Sequence, residues 1–112
     1  PTTALTPAHG WCDDPAHPCY NQPVMLPFAG HHERLWREDS VYDLIIPLGY
    51  NDGVEAPIIP GAGSAIFMHL MRADGVGTEG CIALAREDLL ALLAGVSNRT
   101  VCIIPAQLAC MR

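Results

Sequence analysis

Short apolar runs separated by turn-forming residues dominate the pattern of the chain, and they predict β-strands rather than long helices. The segment 49–53 carries a Gly-Tyr-Asn-Asp-Gly turn signal directly after one such run. Gly75 and Gly77 allow the chain to turn back between two others. The predicted strands cover residues 41–48, 64–70, 81–84 and 100–104.

Two segments have a helical pattern. Residues 86–94 carry Glu87 and Asp88 in the first turn and have Gly95 just past the end, as the helix dipole and glycine C-caps favour. Residues 32–38 predict a short helix that directs Leu35 and Trp36 toward the core.

Residues 1–31 are dense in helix- and strand-breaking prolines, and we expect an ordered but irregular surface excursion there. Strands joined by turns, together with one clear helix, predict a mainly β domain with a helix packed beside the sheet. With 112 residues, 50% of them hydrophobic, the chain suits a single domain with one core.

Charge and hydropathy exclude two classes of partner. The net charge is −6, lysine is absent and the arginines are scattered, so we expect no nucleic-acid partner. No apolar run approaches the roughly 18 residues of a membrane helix, so we expect no membrane span.

The chemistry concentrates around one thiol. His69 closes an apolar run and Cys81 opens the next, so a hairpin-like return can bring an imidazole base to a cysteine nucleophile. Gly80 leaves space for an acyl carbonyl, and the amides of Gly80 and Cys81 can serve as oxyanion donors. We expect Asp13, Asp14 or a backbone carbonyl to orient the imidazole.

The segments G-S-A-I-F-M-H at 63–69 and T-E-G-C-I-A-L at 78–84 resemble the active-site signature of the L,D-transpeptidase (YkuD-type) catalytic domain, in a branch with a T-E-G-C motif. The resemblance spans nearly all of the chain. Its other matching segments are G-W-C-D-D-P at 10–15, Y-N at 20–21, L-W-R at 35–37, Y-D-L at 42–44 and G-Y-N at 49–51.

This resemblance implies a β-sandwich fold and a cysteine acyltransferase that forms peptidoglycan cross-links in the periplasm or cell envelope of a bacterium. Its donor and acceptor would be peptidoglycan stem peptides, a carbapenem would be a covalent inhibitor, and no metal or organic cofactor would be needed. Family domains carry additional N-terminal strands, so residues 1–112 are expected to be the later part of the catalytic domain.

The chain departs from better-known family members at two positions of the motif. Glu79 stands where they have a histidine, and Ala83 stands where they have an asparagine or arginine. The substrate must therefore be held by other residues. Our candidates are Thr78, Glu79, Arg72, Trp11, Tyr20, Asn21 and Tyr50.

Each candidate also has a purely structural interpretation. Trp11 is equally suited to the core, Thr78 to a turn, and Arg72 to solvent. A carboxylate at Glu79 beside the thiol would raise the pKa of Cys81, so it suits a substrate ammonium better than activation of the nucleophile.

Two alternative functions are compatible with the same residues. With water as the acceptor, the site would be an L,D-carboxypeptidase or amide hydrolase. Alternatively, the chain would be a non-enzymatic zinc-binding module, since four soft ligands fall within residues 9–19: His9, Cys12, His17 and Cys19. The odd number of cysteines, five, leaves at least one thiol outside any set of disulfides, and Cys81 suits that place.

Overall fold

The computed structural model describes residues 2–73, 80–97 and 99–103. These residues form two small three-stranded sheets and one helix, so the fold is mainly β, as predicted. Residues 74–79, which include Gly75, Gly77, Thr78 and Glu79, lie outside the described residues, as do Ile104 and Cys110.

The first sheet contains β1 (His9–Cys12), β2 (Pro23–Met25) and β3 (His32–Arg34), in the order β2-β1-β3 with antiparallel pairing. The prediction that residues 1–31 are irregular is therefore wrong at β1 and β2. The prolines flank β1 rather than interrupt it. Within β1, Gly10 lies so close to Leu26 that an added Cβ would be 2.8 Å from its Cδ2 atom.

The predicted helix at 32–38 is also wrong. Its first residues form β3, in which Glu33 pairs with Trp11 and Arg34 with Gly10 across the sheet. Hydrogen bonding to β1 prevails over the weak local preference for a helix. Leu35 is buried, as predicted, whereas Trp36 is 54% exposed.

The second sheet contains β4 (Ile45–Pro47), β5 (Phe67–Leu70) and β6 (Ile82–Leu84), in the order β4-β5-β6. These strands lie inside the predicted runs but are shorter. β5 is antiparallel to β4 and parallel to β6, so the predicted hairpin between His69 and Cys81 is wrong. Two parallel neighbouring strands cannot be joined by a tight hairpin turn.

The helix α1 (Arg86–Leu93) is confirmed, with Glu87 and Asp88 in its first turn. Its only buried residue, Leu89, packs with Met68 and Leu70 of β5. No strand is present in the described residues 99–103, where the last strand was predicted. Among residues 2–73, 80–97 and 99–103, no helix has the length and apolar character required to cross a bilayer.

The strand β5 separates two apolar clusters and explains where the candidate base points. Successive side chains of a strand face opposite sides, and all four residues of β5 are buried. Met68 and Leu70 face α1, whereas Phe67 packs with Leu35, Val41 and Tyr42. His69 shares the Phe67 side, and its ring contacts Tyr42.

Candidate active site

A cavity of about 290 Å³ contains both residues of the predicted nucleophile and base pair. Cys81 lines the cavity from the position just before β6, and His69 lines it from β5. The parallel pairing of β5 and β6 therefore brings His69 and Cys81 together, as we had expected a hairpin to do. The other lining residues are Asp13, Glu33, Tyr42, Ser64 and Ala65.

The Cys81 thiol is held by backbone groups of the segment that leads into β5. Its Sγ donates to the Ala65 carbonyl at 3.3 Å and accepts from the Phe67 N–H at 3.4 Å. Partial burial raises the pKa of Cys81, the Phe67 N–H lowers it, and the Glu33 carboxylate raises it further, for a net increase. The resting side chain is therefore a protonated thiol that requires a base.

The His69 ring has a defined tautomer. It is buried, at 5% exposure, and its Nδ1 lies 2.8 Å from the Leu70 carbonyl. A carbonyl oxygen only accepts hydrogen bonds, so Nδ1 carries a proton, and in the neutral ring Nε2 then presents a lone pair. Neutral imidazole in this tautomer is a general base.

The orienting group is thus a backbone carbonyl, one of the options that the sequence left open. Asp13 lines the cavity, but its carboxylate pairs with the His31 imidazole. The Asp14 carboxylate accepts from the backbone N–H groups of Ala16 and His31, and these bonds lower its pKa.

Gly80 has a φ angle of +89°, in the left-handed region that favours glycine. A Cβ added there would lie 3.4 Å from Ile66 Cδ1. Gly80 thus turns the chain just before Cys81 in a backbone conformation that other residues adopt only with strain.

Sequence reasoning did not assign Glu33, Tyr42, Ser64 or Ala65 to the site. Tyr42 donates its hydroxyl hydrogen bond to the Glu33 carboxylate inside the cavity. Tyr42 and Ala65 lie in the segments that resemble the family motif, and this resemblance was the sequence signal that could have identified them as site residues. No sequence signal marked Glu33, because its place in the cavity depends on the pairing of β3 with β1.

None of the predicted substrate residues that the structure describes lines the cavity of Cys81. Trp11, Asn21 and Tyr50 line a second cavity of about 190 Å³ that Cys81 does not line. The buried Tyr20 accepts the Gly63 N–H at 3.3 Å through its hydroxyl. Arg72 is exposed just beyond β5 and lines neither of these two cavities, and Thr78 and Glu79 lie outside the described residues.

The four residues of the alternative zinc module do not converge. Within residues 2–73, 80–97 and 99–103, no three His, Cys, Asp or Glu side chains are placed to share a metal ion. His9 Nδ1 accepts the Thr6 N–H at 2.8 Å, and His17 Nδ1 accepts the Cys19 N–H at 3.0 Å. No disulfide joins any two of the four described cysteines: Cys12, Cys19, Cys81 and Cys102.

Comparison of the chain with protein-family models, curated proteins and solved structures finds no match.

Proposed function

We propose that the protein is a cysteine-dependent acyltransferase of the L,D-transpeptidase type that cross-links peptidoglycan stem peptides in the bacterial envelope. The observation that carries the proposal is that the Cys81 thiol and the His69 imidazole line one cavity, with Nδ1 of His69 tied to the Leu70 carbonyl. That bond occupies Nδ1 and leaves Nε2 as the nitrogen that can take a proton from the thiol.

The first half-reaction forms a thioester. His69 Nε2 accepts the Cys81 proton as Sγ bonds to the carbonyl carbon of the third stem residue. The Gly80 and Cys81 amides stabilise the tetrahedral oxyanion. As the C–N bond breaks, the imidazolium returns its proton to the departing amine, and the terminal D-amino acid leaves.

The second half-reaction transfers the acyl group. An amine of a neighbouring stem attacks the thioester carbon while Nε2 takes its proton, and the C–S bond breaks. The proton then returns to the departing thiolate, which restores Cys81. No metal or organic cofactor is required by these steps, and the thiol that burial and Glu33 keep protonated is regenerated in each cycle.

Intact-mass analysis after incubation with a carbapenem tests the nucleophile. A thiol that opens the β-lactam retains every atom of the drug, so the protein should gain the mass of one carbapenem. We expect the adduct on the wild-type protein, its loss in Cys81→Ala and slow formation in His69→Gln. Cys102→Ala, which removes an exposed thiol outside the cavity, is the matched control and should be acylated normally.

An adduct that persists in Cys81→Ala, or an absence of adduct on the wild-type protein, would contradict the proposal. Stem peptide supplied with and without an amine acceptor then identifies the second half-reaction. Cross-linked product identifies a transpeptidase, and free acid alone identifies the hydrolase that shares the site.

A further inference from the structure

Tyr42 lies between the candidate base and a carboxylate. Its hydroxyl donates to Glu33, and its ring centroid lies 5.5 Å from that of His69, with the two planes at 61°. The Tyr42 ring also packs edge-on with Phe67, with the ring centroids 5.8 Å apart. Tyr42 is 7% exposed, so its ring forms a fixed wall beside the imidazole.

The hydrogen bond to the Leu70 carbonyl is not sufficient to fix the base. It holds Nδ1, yet a single bond still permits the imidazole to tilt about that nitrogen and to move Nε2 relative to Sγ. Contact with an anchored aromatic ring removes this freedom. Misplacement of a catalytic group by as little as about 1 Å can slow a reaction by roughly a hundredfold.

Glu33 is an unfavourable neighbour for the nucleophile, since its negative charge opposes the thiolate and raises the pKa of Cys81. Three other ionisable groups lie around Glu33 and Tyr42, namely those of Asp13, His31 and Arg37. Asp13 lines the same cavity and pairs with His31, and the Arg37 guanidinium lies 5.1 Å from the centroid of the Tyr42 ring. A carboxylate placed at Glu33 despite this cost therefore requires a compensating role.

We propose that Glu33 and Tyr42 are positioning residues for the catalytic base. Glu33 anchors the Tyr42 hydroxyl, and the anchored ring fixes the His69 imidazole toward Cys81. This inference rests on the proposed acyl-transfer function and adds to it a second pair of residues that act through His69.

The test compares three variants: Tyr42→Phe, Glu33→Gln and Glu33→Ala. For each variant we measure the rate of acylation at saturating carbapenem and the carbapenem concentration that gives half of this rate. Tyr42→Phe retains the ring but removes the anchor, so we expect about a tenfold lower rate with unchanged half-saturation. Glu33→Ala also removes the anchor of the Tyr42 hydroxyl, so its acylation rate should fall by the same factor. Glu33→Gln retains an oxygen acceptor for the hydroxyl, so it should acylate near the wild-type rate.

The pH profile of Cys81 alkylation by iodoacetamide separates positioning from general loosening. Glu33→Gln removes a charge that opposes the thiolate, so its profile should move to lower pH. In Tyr42→Phe, His69 is less well positioned and stabilises the Cys81 thiolate less, so the alkylation profile should move to higher pH. The matched control is Glu38→Gln, an exposed carboxylate outside the cavity, which should change neither measurement.

The inference would be overturned if Tyr42→Phe were acylated at the wild-type rate. It would also be overturned if the alkylation profiles of Tyr42→Phe and Glu33→Gln shifted in the same direction. The two proposals fail separately. If the carbapenem does not acylate the wild-type protein, the acyl-transfer proposal fails, while alkylation still reports whether Tyr42 positions His69. If wild-type acylation is normal and Tyr42→Phe is indistinguishable from it, only the positioning role fails.

Discussion

Gly63 and Ala65, in the segment that leads into β5, both have positive φ angles but differ in their surroundings. Gly63, at φ +128°, lies so close to Tyr50 that an added Cβ would be 2.9 Å from its Cε1 atom. Ala65, at φ 54°, carries a side chain that costs about 1–2 kcal/mol in this region. Its N–H donates to Asn21 and its carbonyl accepts from Cys81, so the strained residue joins the scaffold to the nucleophile.

Gly80 provides a test of whether local backbone shape controls the reaction. In Gly80→Ala, the left-handed φ should cost about 1–2 kcal/mol, and the methyl group would contact Ile66. We expect at least a tenfold loss of the rate of Cys81 acylation, because the Gly80 and Cys81 amides shift relative to the acyl oxygen.

Gly61→Ala is the matched control for that variant. Gly61 has a similar φ of +84°, and an added Cβ would meet nothing within 4 Å. Urea denaturation should give comparable losses of unfolding free energy for both variants, whereas acylation should fall only in Gly80→Ala. Equal acylation by the two variants would show that the backbone at Gly80 has no part in the chemistry.

At the level of the elements, β5 has two functions because its side chains alternate. One side packs against α1 through Met68 and Leu70, and the other brings His69 to the cavity. A shift of one residue in the pairing of β5 would exchange these sides. The contact with the helix therefore helps to keep the base facing the thiol.

Leu89 carries most of the contact between α1 and the sheet. Leu89→Ala removes a fully buried side chain that packs on Met68 and Leu70, and should lower the unfolding free energy by about 2–4 kcal/mol. The neighbouring Leu90 is 50% exposed, so Leu90→Ala should cost less than about 1 kcal/mol. Urea denaturation checks both values, and equal losses would show that the helix does not dock through Leu89.

The elements that the sequence predicted are those whose signals are local. The acidic first turn and Gly95 identify α1, and the apolar residues of β5 and β6 identify strands. Tertiary pairing determined the rest. β3 is a strand because Glu33 pairs with Trp11, and β6 runs parallel to β5 rather than back along it.

The same distinction explains the candidate site. The pairing of Cys81 with His69 in one cavity could be predicted because adjacent segments of the chain carry them. Glu33 could not, since it reaches the cavity from the other sheet. We assigned Trp11 and Asn21 to substrate binding, but their side-chain hydrogen bonds connect parts of the scaffold, which residue type alone does not reveal.

At the scale of the whole molecule, Asn21 connects the segments that hold the two sheets. The side chain is buried, at 4% exposure, and its Oδ1 accepts from Trp11 Nε1 at 2.9 Å and from the Ala65 N–H at 3.1 Å. Its Nδ2 donates to the carbonyls of Tyr50 and Asn51 at 3.0 and 2.6 Å. A single amide therefore links β1, the turn after β4 and the segment that holds the Cys81 thiol.

Asn21→Ala should consequently destabilise the protein and impair the site together. Loss of the amide leaves buried donors and acceptors unpaired, at about 1–3 kcal/mol for each group that water cannot reach. The φ of 58° adds about 1–2 kcal/mol for an alanine. We expect a loss of at least about 3 kcal/mol in unfolding free energy, measured by urea denaturation, and slower acylation of Cys81 in the fraction that remains folded.

Asn21→Gly separates the two contributions, because glycine tolerates this φ but supplies none of the hydrogen bonds. It should recover only about 1 kcal/mol relative to Asn21→Ala, and acylation should remain slow in the folded protein because Ala65 has lost its anchor. If Asn21→Gly instead restores both stability and acylation, backbone conformation rather than the amide network joins the two halves. The Cys81 cavity would then be maintained by the second sheet without help from the first.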